Sequence, residues 1–264
     1  MNKRNIKRKA VNKTLALISY LVVAFLYVPI VILIVFSFND QRSNTEWIGF
    51  TTRWYTEILQ DSSLWEVIRS TLITGIGSTL LAVVIGTTGA VGLTRFKFKG
   101  RDFLSNVMYV PMVIPEIVLA VALLSIFVLL DLPTGLTAVI LGHTALALPF
   151  VYINVKTALG EFDQSIEEAS MDLGANRKQT FLKITMPIIM PGIMSGAFLA
   201  FSLSLDDLII SSFLGGAGVT TLPVLIYSQV KIGISPEINV IYTIIIAAIF
   251  AALLIKKALK RCRK

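Results

Sequence analysis

One cysteine and one histidine in 264 residues leave little room for redox or metal chemistry. Cys262 sits in a basic carboxyl-terminal run, which excludes a disulfide framework. His143 reads as a helix-packing residue, and nothing in the chain approaches metal-ligand spacing, so neither a metal nor a cofactor is expected. No G-x-x-x-x-G-K-[ST] phosphate loop occurs, so hydrolysis of ATP by that route is not this chain's own work. Charge is scarce as well. Charged residues make up 15% of the chain, against about 25% in a soluble domain. The missing charge is missing in runs: 14–39, 70–94, 132–155, 184–205, 208–230 and 238–255 carry none, and 103–130 carries only Glu116.

A helix crossing a bilayer needs about 20 largely apolar residues, and these runs are rich in Leu, Ile, Val, Ala and Phe. The expected fold is all-α and integral to the membrane. Six spans are placed near 15–38, 70–93, 103–130, 134–154, 188–214 and 238–255, with a glycine-rich external loop around Gly215, Gly216 and Gly218. The first run is longer than a cleaved leader's 7–15-residue core and no small-x-small site follows it, so it reads as a permanent span.

The net charge of +8 does not point to nucleic acid. Its lysines and arginines crowd span ends: Lys3, Arg4, Lys7, Arg8 and Lys9 at the start, Lys256, Lys257, Lys260, Arg261, Arg263 and Lys264 at the finish, and Arg95, Lys97, Lys99 and Arg101 between spans two and three. Positive residues beside spans stay in the cytoplasm, where anionic lipid holds them. An even number of spans puts both termini on that side.

The loop between spans four and five, about 155–187, mixes both signs of charge. Phe162, Ile166, Ala169 and Leu173 follow the four-and-three spacing of a helix stripe. Gly174 suits a left-handed helix end, Asn176 a cap for a second helix, and Pro187 and Pro191 the passage into span five. A helix–glycine–helix unit of this kind either rests on the membrane surface or docks on a partner.

Glu168-Ala169-Ser170, three residues, Gly174, nine residues, then Ile184-Thr185-Met186-Pro187 resembles the EAA loop of ABC-importer permeases, E-A-A-x3-G-x9-I-x-L-P. Ser170 replaces the second alanine and Met186 the leucine. Nearly the whole chain is similar to the PotC-type permeases of spermidine/putrescine importers, through Tyr27-Val28-Pro29, Phe36-Ser37-Phe38-Asn39, Gly49 to Tyr55, Pro115-Glu116-Ile117-Val118, Leu203 to Asp207 and Ile234-Ser235-Pro236-Glu237. Glu116 stands where that family has aspartate. The resemblance implies one transmembrane permease domain over 1–264 with a type I ABC importer fold, in a bacterial inner membrane. It implies a cytoplasmic ATPase dimer, a homologous second permease and an extracytoplasmic polyamine-binding protein as partners. Glu168, Ala169, Ser170, Gly174, Ile184 and Pro187 would then couple to the ATPase. Importers of iron, amino acids or phosphonates are the alternatives within the class, and a stand-alone channel is the alternative outside it.

Glu116 falls near the bilayer midplane, where a charge costs about 2.5–3.5 kcal/mol on insertion scales and faces a polar cavity or a partner. Pro111 and Pro115 would kink its helix and free carbonyls. Asp206 and Asp207 diverge by about 100° on a helix, so one is expected on the pathway and the other against a neighbour. Trp54, with Trp47, Tyr55, Trp65 and nearby Glu46, Glu57, Asp61 and Glu66, reads either as an interfacial anchor or as an acidic aromatic mouth for ammonium groups. Trp54, Glu116, Asp206 and Asp207 are thus the candidate pathway residues.

Overall fold

The computed structural model describes residues 3–41, 46–232 and 236–262; at 3–13, 232, 252, 253 and 256–262 it gives the helix path without the side-chain surroundings. Arg263 and Lys264, together with Ile234 and Ser235 of the last matched segment, lie outside the described residues. The described residues are mostly helical: α1 (Lys3–Phe36), α2 (Arg53–Gln60), α3 (Ser62–Arg95), α4 (Arg101–Val107), α5 (Val110–Val113), α6 (Glu116–Leu129), α7 (Leu136–Gly160), α8 (Ser165–Asp172), α9 (Arg177–Thr180), a π-helical turn (Phe181–Thr185), α10 (Met186–Asp206), α11 (Ile209–Leu214), α12 (Leu222–Ile232) and α13 (Pro236–Cys262).

Among the described residues, four helical stretches are long and apolar enough to cross a membrane: Thr14–Phe36, Ser62–Arg95, Leu136–Gly160 and Arg177–Asp206. The pair Arg101–Val113 and Glu116–Leu129 makes a fifth when counted as one span, although it bends by 111° at its break. Pro236–Ala251 is apolar but shorter. The span at 103–130, expected to kink at Pro111 and Pro115, is broken at Ile114 and Pro115, and the span at 188–214, expected as one helix, is broken as well. In the first, Ile114 precedes a proline and takes extended backbone angles (φ −73, ψ 132), as the clash with the proline ring requires. In the second, Asp207 is extended (φ −66, ψ 121) and the helix restarts at Ile209. The segment after the glycine-rich loop, read as loop, contains α12.

Two compact units emerge, Met1–Ser62 with Ser228–Lys264, and Ser63–Tyr227. In the first, the apolar part of α1 is not buried at all. Below it a short loop folds on itself around Asn39, whose side-chain amide donates to Glu46 O (2.7 Å) and whose Oδ1 accepts Ile48 N–H (3.0 Å). An isolated antiparallel bridge joins Asn39 to Phe50, and Phe38 stacks on both Phe50 and Tyr55, with centroids 5.3 and 5.1 Å apart.

The second unit is built on α3, α7 and α10. Small residues make this possible: Ser78, Ala82, Gly86 and Ala90 form the buried seam of α3, and Gly192 and Gly196 form that of α10. A Cβ on Gly192 would lie 2.7 Å from Ala158 Cβ and 2.9 Å from the Asn154 carbonyl oxygen, and one on Gly196 2.9 Å from Val151 Cα. Such small-x-x-x-small spacing lets helix backbones approach where lipid supplies no hydrophobic drive. Ala82, Ala90, Val151, Val155, Ile189 and Ala200 fill the common core. A second cluster, Leu119, Phe127, Val139, Ile210 and Leu214, packs α6 and α11 against α7.

Candidate functional site

The two breaks in the spans meet. Glu116 is the first residue of α6, next to Pro115, and sits half-buried. Its carboxyl lies beside that of Asp207, with Asp206 also close by. Asp206, the last residue of α10, is exposed. Asp207 is enclosed, its side chain wholly shielded from solvent.

Asp207 is enclosed because it caps the restart of the chain. Its Oδ1 accepts Ser211 N–H at 2.9 Å and its Oδ2 Ile210 N–H at 3.4 Å, taking up donors that the first turn of α11 leaves free. His143 of α7 lies against the same carboxylate, with Nε2 3.0 Å from Oδ1. The other imidazole nitrogen, Nδ1, is 2.6 Å from Ser204 Oγ. The Ser78 hydroxyl of α3 donates to Ser204 at 3.1 Å. Nε2 also lies 2.9 Å from Ser211 Oγ. The structure thus joins α3, α7, α10 and α11 through one buried polar chain, with Glu116 of α6 beside it. Buried polar groups without partners are costly, and this arrangement satisfies nearly all of its own. Ser204 was not among the residues singled out by sequence, and His143 was read only as a helix-packing residue. An acidic residue inside an apolar run, followed by Ser211 and Ser212, was the one available signal for a new helix start.

Trp54 lies elsewhere, in the first unit, and is completely buried. Its indole N–H donates to Asn39 O (2.8 Å), and the Arg53 guanidinium covers its ring at 4.4 Å. The expected aromatic mouth is therefore not what Trp54 supplies: its ring has no open face for an ammonium group. Trp47 and Trp65 are exposed.

The charged loop at about 155–187 forms a second candidate site. Helix α8 ends in a Schellman motif: Gly174 N–H donates to Met171 O (2.9 Å) and Ala175 N–H to Ser170 O (3.1 Å). Gly174 has φ +92, where a side chain is strained, yet a Cβ there would meet nothing within 4 Å. Asn176 and Gln179 form a complete capping box for α9. Ser170, in the place of the alanine, is buried and pairs with the Thr180 hydroxyl at 3.1 Å, fixing α8 against α9. Asp163 accepts Ser165 N–H at 3.0 Å ahead of α8, which holds its carboxyl below the usual range.

Glu167, not Glu168, ties the loop to the rest of the chain. Its Oε1 receives Arg95 Nη2 at 3.1 Å and the Thr185 hydroxyl. Glu168 and Ala169 are exposed, Ile184 is half-buried and Pro187 is exposed. The apolar stripe is mostly uncovered: Phe162 is buried under Arg95, whereas Ile166 is exposed and Leu173 is 90% exposed. Pro187 does not mark a break. The helix runs from Arg177 to Asp206 without interruption. The π turn Phe181–Thr185 lies immediately before that proline, a widening that is common at functional positions.

Comparison with known proteins agrees with this architecture. Residues 78–259 match the family described as binding-protein-dependent transport system inner membrane component. The chain is 41% identical to the spermidine/putrescine transport system permease protein PotC of Escherichia coli strain K12, over 84% of each chain. It is 40% identical to the putrescine transport system permease protein PotI of the same strain, over 85% of this chain and 83% of the other. A bacterial ABC transporter involved in import of the acidic polysaccharide alginate shares the fold, with TM-score 0.74, 16% identity and coverage of 97% and 98%.

Proposed function

The chain belongs to the binding-protein-dependent transport system inner membrane components, and from that premise we propose that it is a permease subunit carrying polyamines into the cell. In this reading it pairs with a homologous permease, takes its energy from a cytoplasmic ATPase dimer, and receives substrate from an external binding protein. The likeness to the spermidine/putrescine and putrescine permeases supports the substrate class. The observation that carries the reading is the acidic group where two broken spans meet: Glu116, Asp206 and Asp207, three carboxyls together inside largely apolar spans. A polyamine that leaves water loses the hydration of several charges and needs fixed counter-charges in return.

Of the three, Asp207 has its oxygens occupied by His143 and the α11 backbone. Glu116 and Asp206 are the groups with exposed surface, and they are the ones we assign to meeting the ammonium. Trp54 serves by holding the Asn39 loop closed. The test is uptake of labelled spermidine and putrescine by cells in which the chain is deleted and then restored. Uptake that survives deletion, or does not return on restoration, defeats the assignment.

Six spans with both termini in the cytoplasm complete the proposal, α13 being the sixth. The basic tails and the Arg95–Arg101 segment support this orientation. A cysteine at position 170, in a chain with Cys262 replaced, should resist an impermeant thiol reagent added outside intact cells; labelling there would reverse the orientation.

The exposed Ile166 and Leu173 and the outward Glu168 fit a loop that docks on the ATPase. Gly174→Val places a β-branched residue at φ +92, at a cost of about 1–3 kcal/mol. Because no neighbour is displaced, the strain is confined to the angle between α8 and α9. The expected outcome is protein still present in the membrane, uptake down at least about tenfold, and less ATPase retained on purification. Normal uptake at normal abundance would remove the docking role from this turn.

A further inference from the structure

We infer that His143 is a positioning residue: by bridging Ser204 to Asp207 it sets the stance of the acidic group to which Glu116 and Asp206 belong. The inference rests on the transport reading above for its meaning, though not for its geometry.

His143 Nε2 lies 3.0 Å from Asp207 Oδ1 and 2.9 Å from Ser211 Oγ. Nδ1, on the other side of the ring, pairs with the Ser204 hydroxyl at 2.6 Å. Ser204 in turn accepts from Ser78 at 3.1 Å. The contacts run from α3 to the break: Ser78 to Ser204, Ser204 to His143, His143 to Asp207. His143 is 1% exposed and Asp207 4%, so water cannot replace either partner. Without the imidazole N–H, Asp207 keeps the two backbone donors of α11 but loses the one that holds it towards α7. Glu116 lies beside the same carboxyl, so a change in its stance reaches Glu116. Asp206 precedes it at the end of α10 and turns with it.

Two substitutions separate this role from plain packing. In His143→Gln the amide nitrogen reaches about as far as Nε2 and can still donate to Asp207. His143→Asn keeps an acceptor for Ser204 but is too short to reach Asp207. The measurement is polyamine uptake by the complete transporter reconstituted in liposomes and supplied with its binding protein. The asparagine variant is expected to lower the maximal rate roughly tenfold, as loss of a group's orienting partner does. Its half-saturating concentration should stay put, because capture lies with the binding protein. The glutamine variant should recover to within about threefold of wild type. Equal losses in both variants, or failure of the glutamine variant to assemble, would overturn the inference.

A second readout needs no transport. With Cys262 replaced, the rate at which a cationic thiol reagent modifies Asp206→Cys reports the geometry of the break. It should change severalfold with asparagine at 143 and return with glutamine. Wild-type complexes that carry no polyamine would count against the transport reading alone, leaving the labelling rates to decide on His143. Labelling that ignores the residue at 143 would sink the positioning role.

Discussion

Glu116→Gln and Asp206→Asn are each expected to cut polyamine uptake about 30-fold, and together to abolish it, while the subunit remains assembled with its partners. The figure follows from a loss of about 2 kcal/mol when one member of a desolvated charge pair is neutralised, at 1.4 kcal/mol per tenfold change. Both substitutions keep shape and hydrogen-bonding capacity, so the change in charge is what is tested. Neither should disturb capture by the external binding protein, which takes place before the substrate reaches the membrane. Spermidine, with one more ammonium group than putrescine, should lose more. Initial rates of labelled uptake, with ATPase co-purification as the assembly control, decide the matter. Wild-type rates in the double variant would remove the counter-charge mechanism and leave only the family assignment standing.

The largest expected effect on stability comes from the smallest change. Gly192→Ala adds one carbon, which would sit 2.7 Å from Ala158 Cβ and 2.9 Å from the Asn154 carbonyl, and Gly196→Ala adds one at 2.9 Å from Val151 Cα. Two of these three neighbours are backbone atoms and cannot rotate away, so α7 and α10 must separate. Overpacking of this kind costs about 1–3 kcal/mol per site, and here it strikes the interface around which the second unit is built. Gly92→Ala is the control: a Cβ there meets nothing within 4 Å, and alanine is the better helix former by about 0.5–1 kcal/mol. Thermal unfolding of the purified complex should show the Gly192→Ala, Gly196→Ala double variant melting well below wild type, and Gly92→Ala at or above it. Coincident melting curves would mean that the two helices do not meet through these glycines.

What was legible in the sequence was local. A positive φ demands glycine, so the turn at Gly174 could be placed from its neighbours. A capping box spans four residues, so Asn176 announced α9. Apolar runs located the spans because a bilayer imposes a minimum length. What escaped depends on distance along the chain. The partners of His143 lie 61 and 68 residues away, and a lone histidine in a helix carries no mark of them. The break after Asp206 escaped for a different reason: Asp207 caps α11 from within an apolar run, where an acid is first read as a charge and only second as a cap. Trp54 shows the same bias. An aromatic beside acids in a loop reads as a surface, whereas its indole N–H is spent on Asn39 inside. The Gly192–Gly196 spacing is visible in the sequence, but the helix it faces is not.

The uninterrupted helix from Arg177 to Asp206 bears on how work is delivered. Its 30 residues make a rod about 45 Å long at 1.5 Å per residue. One end lies within the loop proposed to dock on the ATPase, and the other is Asp206, the carboxylate proposed to meet the cargo. A rod has no slack. Any tilt imposed at Arg177 arrives at Asp206 in the same stroke, diminished only by whatever the widened turn at Phe181–Thr185 absorbs. Opening the route and loosening the grip on the cation are then one mechanical event rather than two that must be timed. The stiffness of that single turn sets the gearing between fuel and freight.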